Sequence, residues 1–116
     1  MQYQVIFTIG DTEELDLIMT TKGYRSDVII LDENGNYYEV NFTELEVIKN
    51  GFDDDKVCYL EQNLVVLHEV TKENVMKSIP ELHRWLFYKR WVPLTNEQVE
   101  NLYHPKDGWK IFLVTL

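Results

Sequence analysis

At 116 residues and 13.9 kDa, with 45% hydrophobic and 13% aromatic residues, the chain has the size and composition of one globular domain, 1–116, able to build a core of its own. Its formal net charge of −9 is uneven: residues 1–70 hold fifteen Asp/Glu against four Lys/Arg, a net of −11, and residues 71–116 hold five against seven, a net of +2. Such an acidic first part argues against a nucleic-acid backbone as ligand and suits a basic protein partner, although a solvated acidic face would carry the same charge.

The start, MQYQVIFTIGDTEELD, lacks the basic opening and long apolar core of a signal peptide, and no run approaches the ~20 apolar residues of a membrane span. A single cysteine, Cys58, cannot form an internal disulfide, so a cytoplasmic protein is expected. Tyr3, Val5, Phe7 and Ile9 alternate with Gln2, Gln4, Ile6 and Thr8, which predicts a strand with one buried face. Asp11 and Glu14 have capping-box spacing ahead of Leu15, Ile18 and Met19, and Gly23 can supply a left-handed C-cap. A helix over about 12–22 follows, against a competing strand reading from the alternation of Leu15, Leu17 and Met19.

Residues 27–42, DVIILDENGNYYEVNF, place Asn34-Gly35 between two apolar runs and predict a central β-hairpin over about 28–42. A two-residue type I′ turn would pair Leu31 with Tyr38, Ile29 with Val40 and Asp27 with Phe42 on the buried face. A three-residue loop with Gly35 left-handed would set Leu31 against Tyr37 instead. The two-residue turn is preferred because it keeps Leu31, Ile29, Tyr38 and Val40 on one face.

Thr43 with Glu46, and Phe42 with Val47, predict a short helix that closes one end of that face through Leu45, Val47 and Ile48, ending at Asn50-Gly51. Phe52 anchors its exit, Asp53-Asp54-Asp55 forms an exposed loop, and strands are expected at 57–60 and 64–70. The second strand is apolar on both faces and should lie inside the sheet. Thr71 caps a helix with Val70 and Val75 as a staple. Pro80, between Ser78 and Glu81, predicts a kink or a fresh helix that buries Leu82, Trp85 and Leu86. Thr95 with Gln98 opens a last short helix, 104–108 is a turn, and 109–116 reads as a well-covered strand. The fold class expected is α+β: a mainly antiparallel sheet with helices on one face and the C-terminal strand returning to it.

Chemistry-bearing patterns are sparse. His68, His83, His104 and Cys58 show no paired ligand spacing, so no metal is expected, and Cys58 reads as buried in an apolar strand. His68 reads as a half-buried strand residue and His83 as a helix-surface one. The Asp53-Asp54-Asp55 run lacks calcium-loop spacing, no Gly-rich phosphate loop exists, and neither a cofactor nor a catalytic set is expected. The segment from His83 to Trp91 interleaves aromatics and cations, which makes Arg84, Tyr88, Lys89 and Arg90 an alternative anion-binding set. Packing and cations at a helix C-terminus explain the same residues. Phe87, Tyr88 and Trp91 are also candidates for contact with another chain.

Carried by TIGDTEELD and the DDD run, the small acidic domain resembles the bacterial immunity proteins that neutralise partner toxins. The DVIILDENGNYYEVNF pattern is similar to small uncharacterised bacterial α+β proteins. The resemblance implies a non-catalytic inhibitor docking on the cationic site of a nuclease-like toxin. Charge points to Asp11, Glu13, Glu14, Asp16, Asp53, Asp54 and Asp55 for steering, and aromatic character to Tyr37 and Trp91 as anchors. Two alternatives stand beside it: a small enzyme or ligand-binding domain using Arg84, Lys89 and Arg90, and a structural subunit of an oligomer joined through Trp91.

Overall fold

The hairpin forms at the centre of a five-stranded sheet. The computed structural model describes residues 1–51, 58–102 and 108–116. Its strands are β1 (Gln2–Phe7), β2 (Tyr24–Asp32), β3 (Tyr37–Glu44), β4 (Leu64–Leu67) and β5 (Lys110–Thr115), in the order β4-β3-β2-β1-β5. All neighbours pair antiparallel except β3 and β4, which are parallel. The helices are α1 (Glu13–Lys22), α2 (Leu45–Asn50), α3 (Lys72–Arg84), α4 (Phe87–Arg90) and α5 (Asn96–Leu102). The architecture is α+β in one domain.

The hairpin register differs from the one preferred on sequence grounds. Leu31 faces Tyr37 and Ile30 faces Tyr38, the pairing of a three-residue loop with Gly35 at φ 83°. Asp32 decides it: its Oδ1 accepts the N–H groups of Asn34 and Asn36, each at 2.9 Å, and its backbone N–H donates to the Asn36 carbonyl at 3.0 Å. The inward set of β2 is therefore Val28 and Ile30, not Ile29 and Leu31. Tyr38, Val40 and Phe42 point inward as expected.

One core holds the molecule together. Tyr3, Val5 and Phe7 of β1, Val28 and Ile30 of β2, and Tyr38, Val40 and Phe42 of β3 pack with Val70 and with Val75, Ile79, Leu82 and Phe87 of α3 and α4. Each large side chain so buried contributes roughly 1.5–3 kcal/mol. The α3 start follows the sequence: Thr71 Oγ1 accepts the Asn74 N–H at 3.1 Å, and the staple pair Val70 and Val75 is buried. Pro80 does not restart the helix, which runs through it to Arg84. The following turn reverses the expected burial. Leu86 adopts φ 62°, which leaves Trp85 and Leu86 exposed and carries Phe87 into the core. Phe87 is thereby removed from the contact candidates.

Edges were harder to foresee than the centre. β4 is a four-residue edge strand rather than an inner one, and residues 58–60 form no strand, so Cys58 is exposed. His68 lies beyond β4 and is exposed. β5 returns beside β1 as expected but also lies at an edge, with Ile111 52% and Leu113 68% exposed. Thr43 stays in β3, so α2 starts after Glu44 with no side-chain cap, and none of its residues is buried. Thr95 and Gln98 do form the reciprocal capping box that opens α5, at 2.8 and 3.2 Å.

Candidate functional site

α1 carries three of the seven acidic residues singled out above, Glu13, Glu14 and Asp16, with Asp11 just ahead of it, and its attachment decides which of them face outward. Its cap is Thr12, not Asp11: Thr12 Oγ1 accepts the Leu15 N–H at 3.2 Å. Gly23 ends the helix at φ 76°, with its N–H bonded to the Met19 carbonyl at 3.0 Å. Although α1 contains Leu15, Leu17, Ile18 and Met19, none of its residues is buried.

Leu15 and Met19 are half-buried, and a polar cluster adds to what fastens the helix. A bulge between Arg25 and Val28 lets Arg25 and Asp27 both lie inside, 3% and 7% exposed. Arg25 Nε and Nη2 donate to Asp27 Oδ1 and Oδ2 at 2.9 and 3.0 Å, and Nη1 donates to Asp16 Oδ1 at 2.8 Å and to the Val70 carbonyl at 3.0 Å. Asp16 Oδ1 also accepts the Lys72 backbone N–H at 2.7 Å, at the first turn of α3. Lys72 Nζ reaches Asp11 Oδ2 at 3.1 Å and lies 4.1 Å from the centre of the Phe112 ring. Burial works to lower the Arg25 pKa, but the hydrogen bonds and charges of Asp27 and then Asp16 push it up, so the guanidinium stays charged.

Asp11 and Asp16 are thus half-buried residues paired with Lys72 and Arg25 respectively, whereas Glu13 and Glu14 are exposed. Leu17, 67% exposed, and Ile18, 42% exposed, lie one turn beyond those glutamates on the same outward side. Asp53, Asp54 and Asp55 lie outside the described residues, as does His104. Tyr37 is half-buried on β3, where its carbonyl accepts the Leu94 N–H at 2.8 Å. Trp91 is half-buried against Phe87 and Trp85, with ring centres 5.4 and 6.1 Å away.

The alternative set divides between exposed and packed side chains. Arg84 and Lys89 are exposed, Tyr88 packs on Phe87 and His83, and Arg90 donates to the Trp85 carbonyl at 2.7 Å while lying over its ring. His83 is not a plain surface residue, because its Nδ1 shares a 2.7 Å hydrogen bond with the buried Tyr3 hydroxyl. Burial, followed by the nearby Tyr88 and Asp32, pushes the Tyr3 pKa up to about 12.

Sequence reasoning passed over Arg25. The signal was present as an Arg and an Asp two apart in a strand, which share a face. Among the described residues no group of three or more His, Cys, Asp or Glu is placed to hold a metal ion, and no helix is long and apolar enough to cross a membrane. Comparison with protein-family models, curated proteins and solved structures finds no match to this chain.

Proposed function

We propose that the protein is a non-catalytic binding protein, an immunity-type inhibitor that docks an acidic surface on a basic protein partner, and that α1 is the centre of that surface. The observation that supports this reading is the division of labour on α1. Asp11 and Asp16, half-buried, are engaged in ion pairs with Lys72 and Arg25, while Glu13 and Glu14 border the uncovered pair Leu17 and Ile18. An apolar pair beside carboxylates fits a partner surface in which cations surround an apolar contact. The carboxylates steer the encounter, and Leu17 with Ile18 supply the area that holds it.

The test uses the purified partner recovered from the host, identified by mass spectrometry, and stopped-flow kinetics. Reversing Glu13 and Glu14 to Lys is expected to slow association by about tenfold at low salt, with the wild-type rate falling as salt rises. Leu17→Ala is expected to raise the dissociation rate. An association rate indifferent to salt and to charge reversal overturns the proposal.

A further inference from the structure

A second site lies away from α1, on the outer side of β3. A concavity of about 290 Å³ is lined by Glu39 and Asn41 of β3, Gln62 and Asn63 of the turn before β4, and the 92–98 segment. Both walls are hydrogen-bonded to the same strand. Asn41 Nδ2 donates to the Gln62 carbonyl at 2.8 Å, Asn63 Nδ2 donates to the Glu39 carbonyl at 2.7 Å, and the Asn41 N–H donates to the Asn63 carbonyl at 3.0 Å. On the other wall the Leu94 N–H donates to the Tyr37 carbonyl at 2.8 Å, and the Thr95 and Gln98 capping box fixes the turn into α5. The cavity is therefore held open by the fold.

Its chemistry is biased toward acceptors. Each asparagine turns its amide nitrogen to a backbone carbonyl, which leaves its Oδ1 without a hydrogen-bond partner among the described residues. The half-buried Glu39 carboxylate likewise has neither a hydrogen bond nor an ion pair among the described residues. One carboxylate and two amide oxygens suit a ligand rich in donors and positively charged. Val92, Pro93 and Leu94 line the same cavity and offer an apolar wall for an aliphatic stem. A planar guanidinium can engage the carboxylate with two parallel hydrogen bonds and still donate to an amide oxygen, which a lysine ammonium does less well.

We infer that this cavity binds the side chain of an arginine presented by a peptide or protein, with Glu39 as its counter-charge. The site does not depend on α1, so its failure leaves the proposal for α1 standing, and the reverse also holds. The test is an NMR titration of the whole protein with N-acetyl-arginine amide, and with the lysine and citrulline analogues in parallel. Saturable shifts confined to residues 39–41, 62–63 and 92–98 are expected, weaker with lysine and lost with the neutral citrulline. Glu39→Gln is expected to weaken arginine binding at least tenfold while the amide spectrum remains that of the folded protein. Shifts centred on Glu13 and Glu14, an equal response to citrulline, or undiminished binding by a folded Glu39→Gln variant overturn the inference. If that variant does not fold, the citrulline comparison on the wild-type protein decides alone.

Discussion

Replacing Arg25 by Met tests the polar cluster that fastens α1. The guanidinium makes two hydrogen bonds to Asp27, one to Asp16 and one to the Val70 carbonyl, and it is 3% exposed. Met fills similar space and replaces none of them. The larger penalty falls on Asp27, which is 7% exposed and loses its counter-charge. Breaking a buried pair on one side costs about 3–5 kcal/mol. For a domain of this length that is a fall of on the order of 10–20 °C in Tm. Asp16 suffers less, because its side chain is 30% exposed and keeps the Lys72 N–H. Changing Asp27 to Leu in the same chain removes the stranded charge, and the double variant should recover most of the loss. Urea unfolding of both variants measures this, with the denaturant slope held constant as a check on the unfolded state. An Arg25→Met loss below about 1 kcal/mol, or a double variant no more stable than the single one, would refute the reasoning.

Two further outcomes follow from the geometry. Tyr3, with its pKa pushed up to about 12, keeps its proton in the folded state after the unfolded chain has lost it near pH 10. Stability should therefore be unaffected by this group below pH 10 and fall by about 3 kcal/mol as pH rises toward 12. Urea unfolding across that range should show a shallower fall in Tyr3→Phe, and an unchanged slope would count against the assignment. A Cβ at Gly23 would strain φ 76° and meet Val47 Cγ2 at 2.7 Å, whereas one at Gly35 has a similar φ and nothing within 4 Å. Gly23→Ala should then lower stability by about 1–3 kcal/mol and more than Gly35→Ala does in thermal melts; equal losses would show that the contact with Val47 relaxes freely.

What the chain disclosed of its fold depended on how local the deciding interaction was. The caps at Thr71 and Thr95, the stop at Gly23 and the inward alternation of β1 are settled within a few residues, and each was legible. The hairpin register was not, because both phases of β2 are apolar: Ile29 and Leu31 on one, Val28 and Ile30 on the other. The Asp32 carboxylate tipped the balance through turn bonds that Asn-Gly alone does not announce. From composition β4 reads as an inner strand and β5 as a well-covered one, yet strand position is set by the whole sheet order. The Arg25 cluster joins Asp16, Asp27, Val70 and Lys72, and the Glu39 cavity joins three segments, so neither has a spacing that a linear reading detects.

The cluster also explains how a helix can present apolar residues outward without being lost from the fold. Ten residues are too few for a helix to be stable alone in water, and tertiary contact ordinarily supplies the rest through a buried apolar stripe. α1 has no fully buried residue: Leu15 and Met19 are half-buried, and Asp16 and Asp11, each bonded to a group in another segment, add to its attachment. Because Asp16 bonds to both β2 and the first turn of α3, α1 is tied to the sheet and to the helical layer together. Leu17 and Ile18 are thereby left outside at fixed positions beside Glu13 and Glu14. A surface ordered before an encounter loses less conformational entropy on binding, which is the physical advantage of fastening this helix on one side and leaving Leu17 and Ile18 uncovered on the other.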